Sequence, residues 1–138
     1  MKAVGLDLGQ RTLGVAISDA LGWYAHPVSV IRFADDDYED ALMQLLPVLE
    51  EQKAEIVVLG LPKHMNGDIG IRGEICLDFG RRIEEETGLS VVMWDERLTT
   101  MAAEKTLIAF DVSRAKRKKI IDRQAAVVIL QGYLDSKR

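Results

Sequence analysis

Three acidic residues stand at positions where an apolar residue would be less costly. Asp7 lies within an apolar run (VGLDLG), Glu96 follows another apolar run, and Asp122 shares a helical face with alanines and Ile129. A carboxylate is costly to bury unless a partner compensates its charge. Three carboxylates that meet in one cleft repel each other, and a cation relieves that repulsion. Because oxygen ligands favour hard ions, the expected metal is Mg²⁺ or Mn²⁺.

Such a carboxylate cluster is suited to the hydrolysis of phosphodiester bonds. Two ions about 3.5–4 Å apart can activate a water molecule and stabilise the leaving oxygen. We therefore predict a metal-dependent nuclease with two metal ions, in which Asp7, Glu96 and Asp122 are both catalytic and metal-binding. Asp95 competes with Glu96 as a ligand. We favour Glu96 for its longer reach and expect Asp95 to hydrogen-bond behind it.

Basic residues surround Asp122, although the net charge of the chain is −4. Residues 111–138 carry eight Lys and Arg against three Asp and Glu. A cluster of this kind attracts a polyanion whatever its base sequence. Further candidates lie beside Glu96 and in a glycine-rich segment. The predicted nucleic-acid-binding residues are Lys63, Asn66, Arg72, Arg97, Arg114, Lys116, Arg117, Lys118, Lys119 and Arg123.

Each feature also has a plainer interpretation. Asp7 could be a hydrogen-bonded carboxylate at a strand end, and the Asp95-Glu96 pair could be a turn before a helix cap. Asp122 could be a surface partner of Lys118 or Arg123, and the basic run only a solvated face. The agreement of all these features in one cleft favours the nuclease.

The elements that must position these residues follow from hydrophobic periodicity. Strands are predicted at 2–8, 12–18, 28–32, 55–60 and 91–94. Helices are predicted from the Asp35–Asp37 cap past Leu49, from about Ile71 to Thr87, from Thr99 or Thr100 to Phe110, and over 114–135. Pro47 should kink or restart the first helix, 20–27 should be a loop, and 60–73 a long glycine-rich loop.

This order predicts an α/β fold, with a mixed five-stranded sheet flanked by helices on both faces. Sites in open α/β sheets lie at the carboxyl ends of strands, where Asp7, Asp95 and Glu96 fall. Ala125 and Ala126, after Asp122, should let the last helix approach the small residues of the first strand closely.

Composition limits the remaining possibilities. A chain of 138 residues that is 48% hydrophobic is expected to form one domain, over residues 1–138. It contains no apolar run of about 18 residues that would span a membrane. The first strand begins at once, which leaves no signal peptide, and a single cysteine, Cys76, fits a reducing compartment. We therefore expect a cytoplasmic protein.

Four ordered motifs carry a resemblance along essentially the whole chain. They are GLDLGQRTLGVAISD, VVLGLPKHMNGDIGIRG, WDERLTTMAAEK and VSRAKRKKIIDRQAAVVILQGYLD. With them the sequence resembles the YqgF family, also called RuvX, of Holliday-junction-resolvase-like proteins. The resemblance implies a ribonuclease-H-like fold and a nuclease whose acidic residues fall on Asp7, the Asp95-Glu96 pair and Asp122.

The resemblance implies two different substrates. One role is processing of the 5′ end of precursor 16S ribosomal RNA, which we favour because the family's housekeeping role is tied to ribosome maturation. The other is resolution of branched DNA. The expected partners are structured precursor RNA or branched DNA, with ribosomal particles in the first role and no membrane. A resolvase of two-fold symmetric junctions is expected to be a homodimer, whereas a processing nuclease can be a monomer.

Two further classes stay open. The segment GLDLGQRTLGVA also resembles the phosphate-binding hairpin of sugar kinases and actin-like ATPases. Those enzymes need a second, similar domain to enclose a nucleotide, for which 138 residues leave no room. The other class is a non-catalytic nucleic-acid-binding factor that keeps its acidic residues for folding.

Overall fold

The computed structural model describes residues 1–63, 66–96, 113 and 124–137. The predicted helix over 99–110 and the first part of the predicted last helix lie outside these residues. The described elements are β1 (Ala3–Leu8), β2 (Thr12–Ser18), β3 (Ala25–Arg32), α1 (Tyr38–Glu51), β4 (Ile56–Leu61), α2 (Gly70–Thr87), β5 (Ser90–Asp95) and α3 (Ala125–Ser136).

The strands form one five-stranded sheet in the order β3-β2-β1-β4-β5. β1 pairs antiparallel with β2, and β2 with β3, whereas β1–β4 and β4–β5 are parallel. The predicted mixed α/β sheet is therefore confirmed. β1, β4 and β5 point the same way, so their carboxyl ends meet at one edge.

Alternation along β1 divides the core into two layers. Val4, Leu6 and Leu8 are buried against α1 and α2, whereas Ala3 faces α3 on the opposite side of the sheet. Asp7 is four residues from Ala3 and so belongs to the α3 side. The sheet thus presents this carboxylate towards α3 rather than towards the larger core.

β3 is longer than predicted, because it begins at Ala25 rather than at Val28. Pro27 lies inside this strand although it has no N–H to donate to a neighbouring strand. The proline is tolerated in an edge strand beside a register irregularity between Val15 and Ala16. The side-chain oxygen of Gln131, on α3, accepts a hydrogen bond from Ala25 N at 2.9 Å and so holds the first residue of β3 in place.

α1 begins after Asp37, whose side chain accepts a hydrogen bond from Asp40 N at 3.2 Å, so one of the three predicted caps is confirmed. Of the two effects predicted for Pro47, the restart is wrong, because one helix runs through the proline, whereas the kink stays a prediction. The proline leaves the carbonyl of Met43 without its helical donor. Since Met43 is 63% exposed, this turn faces solvent, and water can satisfy the carbonyl.

The connection between β4 and α2 is shorter than the loop predicted over 60–73. β4 extends to Leu61 and α2 begins at Gly70, which leaves eight connecting residues, 62–69. Arg72 is therefore in the first turn of a helix rather than in a loop. The predicted end of α2 is confirmed, since Gly88 has φ +74° and caps the helix in the left-handed conformation.

Candidate active site

Asp7 and Glu96 meet at the carboxyl edge of the sheet. Asp7 is the penultimate residue of β1, Glu96 directly follows β5, and β4 lies between the two strands. Both residues are half-buried. Their carboxyl groups share a hydrogen bond, which requires a proton between them. The fold thus joins two predicted site residues that are 89 positions apart in the sequence.

The pKa of Glu96 reflects this placement. Burial raises the pKa to about 8, with further upward contributions from the charge of Asp7 and from their hydrogen bond. Arg72 opposes the shift and Asp95 adds to it. At neutral pH the pair therefore keeps a proton that an exposed glutamate would have lost.

This carboxyl pair fits a divalent cation. Two half-buried carboxyl groups that share a proton become two oxygen ligands when a cation replaces that proton. Within the described residues, no group of three or more His, Cys, Asp or Glu side chains is arranged to hold a metal ion. Asp122, the third predicted ligand, lies outside them.

The side chains of Asp95 and Glu96 lie on opposite faces of the sheet, because successive residues of a strand alternate between its two faces. Trp94 packs in the α3 layer and Met93 in the α1–α2 layer, so alternation assigns Asp95 to the α2 side and Glu96 to the α3 side. Glu96 thereby shares a face with Asp7. That Glu96 rather than Asp95 is the ligand, with Asp95 hydrogen-bonded behind it, stays a prediction.

Arg72 lies near enough to the carboxyl pair for its charge to lower the pKa of Glu96. Its Nη1 donates to the Tyr38 hydroxyl at 2.7 Å and its Nη2 donates to the Leu8 carbonyl oxygen at 3.1 Å. The guanidinium also lies 6.0 Å from the centre of the Tyr38 ring. Arg72 therefore connects α2 to the end of β1 and to the start of α1. The sequence did not reveal these internal contacts.

The predicted close approach of α3 to β1 is confirmed. A Cβ added at Gly5 would lie 2.5 Å from Leu130 Cβ and 2.9 Å from the Ala126 carbonyl oxygen. The Trp94 ring also contacts the Tyr133 ring edge-on, with centroids 6.1 Å apart. α3 thus covers the sheet face that carries Asp7. Asp122 precedes this helix by three positions.

Two predicted nucleic-acid contacts lie in the connection between β4 and α2. Lys63 is half-buried, whereas Asn66 is exposed and its amide group bonds to Asp68 through both its nitrogen and its oxygen. The other predicted contacts, apart from Arg72, lie outside the described residues: Arg97, Arg114, Lys116, Arg117, Lys118, Lys119 and Arg123.

Comparison with known proteins decides the family. The family model described as "RuvX: Holliday junction resolvase" matches residues 1–136. The chain belongs to the RuvX family. A relative from Oceanobacillus iheyensis is 52% identical over 137 residues, which are 99% of this chain and 100% of the relative. That relative carries the name "Putative pre-16S rRNA nuclease".

Solved structures show a similar fold. RuvC of Thermus thermophilus, in complex with a Holliday junction substrate, matches with a TM-score of 0.64 at 16% identity. The match covers 99% of this chain and 95% of RuvC. The predictions of the RuvX family, of a ribonuclease-H-like fold and of a phosphodiester-cleaving nuclease are thus confirmed at the level of the family.

A kinase shares part of this topology, as the opening hairpin suggested. A ROK hexokinase from Thermus thermophilus matches with a TM-score of 0.53 and 25% identity. The match covers 78% of this chain but 38% of the hexokinase. The match is thus to one part of that enzyme.

Proposed function

We propose that this chain is a divalent-metal-dependent nuclease that acts, as one domain over residues 1–138, on the 5′ end of precursor 16S ribosomal RNA. The observation that carries the proposal is the shared hydrogen bond between the carboxyl groups of Asp7 and Glu96. The name of the Oceanobacillus relative supports the choice of substrate. Such a substrate places the protein in the cytoplasm and near ribosomal particles.

In this proposal Asp7, Glu96 and Asp122 hold Mg²⁺ or Mn²⁺, in a site for two ions. The ions, when bound, activate water and stabilise the leaving oxygen of the phosphodiester. Asp7, in β1, and Glu96, directly after β5, contribute anionic oxygen ligands from one edge of the sheet, so their positions are set before substrate arrives. Asp95 raises the local negative charge behind Glu96.

The polyanion is bound, in the same proposal, by basic residues around the acidic site. Lys63 and Asn66 extend from the β4–α2 connection, and Arg72 adds a cation behind Asp7. The remaining contacts come from Arg97 and the basic run before α3. Lys and Arg contacts to phosphates give affinity without base specificity.

A second candidate is resolution of branched DNA. It is favoured by the match to RuvC, which was solved with a Holliday junction substrate. A third is a nucleic-acid-binding factor without catalysis. These candidates differ in the substrate that is cut, or in whether any substrate is cut.

The test is cleavage of matched precursor RNA and junction DNA by the wild type, with Mg²⁺, with Mn²⁺ and with EDTA. Asp7→Asn keeps the side-chain size but removes the charge that a metal needs. Asp78→Asn is the matched control, because Asp78 is exposed on α2 and pairs with Arg81 at 3.5 Å. We expect metal-dependent cleavage of RNA by the wild type and Asp78→Asn, and its loss in Asp7→Asn.

Each other outcome selects another candidate. Cleavage of junction DNA alone would favour the resolvase. Normal cleavage by Asp7→Asn, Glu96→Gln and Asp122→Asn would refute the proposed site. Binding without cleavage by all variants, with and without added ribosomal particles, would favour the non-catalytic factor.

A further inference from the structure

The carboxylate of Glu96 reaches Asp7 across an intervening strand. β1 and β5 flank β4, and neighbouring strands lie about 4.8 Å apart, so the two outer backbones are about 10 Å apart. The register pairs Leu59 with Leu6, and Gly60 with Trp94. Gly60 thus follows the partner of Leu6 by one residue, as Asp7 follows Leu6, and it pairs with Trp94, two residues before Glu96.

Space is the reason for a glycine at position 60. A Cβ added there would collide with Glu96 Oε1 and Ile129 Cδ1, and would lie 3.0 Å from Glu96 Cδ. The backbone conformation does not require glycine at position 60, because the φ angle of Gly60 is not positive. A glycine inside a strand often marks the close approach of another group, and here that group is the Glu96 carboxylate.

We propose that Gly60 is a positioning residue of the metal site, whose missing side chain lets the Glu96 carboxylate lie over β4 and meet Asp7. This inference rests on the proposed function only where it concerns metal binding. Any side chain at position 60 displaces the Glu96 carboxylate away from Asp7. The effect on the ion therefore passes through Glu96, since Gly60 has no side chain to coordinate with.

Gly14 offers a matched control on the same face of the sheet. It pairs with Asp7 in the register between β1 and β2. A Cβ at Gly14 would lie 3.4 Å from Ala126 Cβ and 3.8 Å from Asp7 Cβ, which are ordinary van der Waals distances. Gly14→Ala therefore adds a methyl group near Asp7 without displacing a carboxylate.

Two double-mutant cycles test the inference, both in the Ile129→Val background, which removes the Cδ1 atom from the collision. The first cycle combines Gly60→Ala with Glu96→Ala and follows urea unfolding of the metal-free protein. We expect Gly60→Ala to lower the urea midpoint of unfolding. When Glu96→Ala is already present, the decrease caused by Gly60→Ala should be roughly half as large or smaller. Additive shifts would overturn the placement of Glu96 over Gly60.

The second cycle combines Gly60→Ala with Glu96→Gln and measures Mn²⁺ affinity by calorimetry. We expect each single change to weaken binding by about 10- to 100-fold, with no further loss in the double variant. Gly14→Ala should bind Mn²⁺ as the parent does. Unchanged Mn²⁺ affinity in Gly60→Ala, or additive losses, would overturn the positioning role.

The two cycles separate this inference from the proposed function. If the parent binds no Mn²⁺, the metal-dependent function fails, and the unfolding cycle alone decides whether Gly60 positions Glu96. If the parent binds Mn²⁺ but cleaves neither RNA nor DNA, the nuclease fails, and both cycles still test Gly60.

Discussion

The guanidinium of Arg72 donates a hydrogen bond at 3.1 Å to the carbonyl oxygen of Leu8, the residue that follows Asp7. The same side chain donates to the Tyr38 hydroxyl at 2.7 Å. The carbonyl belongs to a buried residue at the end of β1. Arg72 thus fixes the end of the strand that carries Asp7.

Replacing Arg72 should destabilise the fold. Arg72→Ala removes two hydrogen bonds with a charged donor, and we expect a loss of about 2–3 kcal/mol in the free energy of unfolding. Arg81→Ala is the control, because its ion pair with Asp78 is exposed on the same helix, and it should change stability by less than about 0.5 kcal/mol. Urea unfolding of both variants measures the difference.

The same variant tests the predicted contact of Arg72 with nucleic acid. If Arg72 also binds a phosphate, Arg72→Ala should lower the slope of log affinity against log salt by about one. An unchanged slope together with lower stability would assign Arg72 to the fold alone. Equal stabilities of Arg72→Ala and Arg81→Ala would contradict the internal role.

The stability of the metal-free protein should fall as pH rises. Burial, and then Asp7, raise the pKa of Glu96 to about 8, whereas an unfolded glutamate titrates near about 4.3. The folded chain therefore holds this proton more tightly. The resulting contribution to stability is complete below about pH 4 and is lost as pH rises through about 8.

We expect this contribution to amount to roughly 2–4 kcal/mol between pH 5 and pH 8.5 in EDTA. Glu96→Gln cannot ionise, so the difference between wild type and this variant isolates the contribution. Added Mn²⁺ should oppose the loss at high pH, because the ion binds the ionised carboxylates of the folded state. Parallel pH profiles of wild type and Glu96→Gln would contradict the assignment.

The thiol of Cys76 should be unreactive in the folded protein. Cys76 is 1% exposed, and burial, followed by the charge of Glu96, raises its pKa to about 12. Because the thiolate is the reactive form, a thiol reagent such as 5,5′-dithiobis(2-nitrobenzoate) should label the native chain only through unfolding. In guanidinium one thiol per chain should react, and fast native labelling would place Cys76 at the surface.

The basic run before α3 should control affinity rather than catalysis. Replacing Lys116, Arg117, Lys118 and Lys119 with alanine should weaken RNA binding and flatten its salt dependence. Lys53→Ala, in the turn after α1, is the control and should leave the slope unchanged. An unchanged slope in the fourfold variant would remove this segment from the interface.

Local pattern alone was sufficient for much of the fold. Alternation of apolar residues predicted β1 and β2, and the left-handed Gly88 marks the predicted end of α2. Periodicity could not place the boundaries that depend on other elements. Ala25 joins β3 because Gln131 of α3 accepts its N–H, and Pro47 remains in α1 because its turn faces solvent.

The acidic residues could also be chosen from the sequence, because a carboxylate in an apolar run is conspicuous. The distance between Asp7 and Glu96 could not be predicted, since Asp7 lies in β1 and Glu96 follows β5, and β4 separates these two strands. The assignment of Arg72 to the glycine-rich loop was wrong, because the helix α2 begins at Gly70. Whether its donors face solvent or Leu8 depends on how α2 packs against β1.

The sequence by itself determined the family and the class of chemistry, because motifs and periodicity are properties of the chain. Only the tertiary structure decided that Glu96 shares a hydrogen bond with Asp7, that Gly60 makes room for this contact, and that Arg72 holds the strand end. The physical reason is that parallel pairing of β1, β4 and β5 brings distant residues to one edge, and only packing there fixes burial, space and charge.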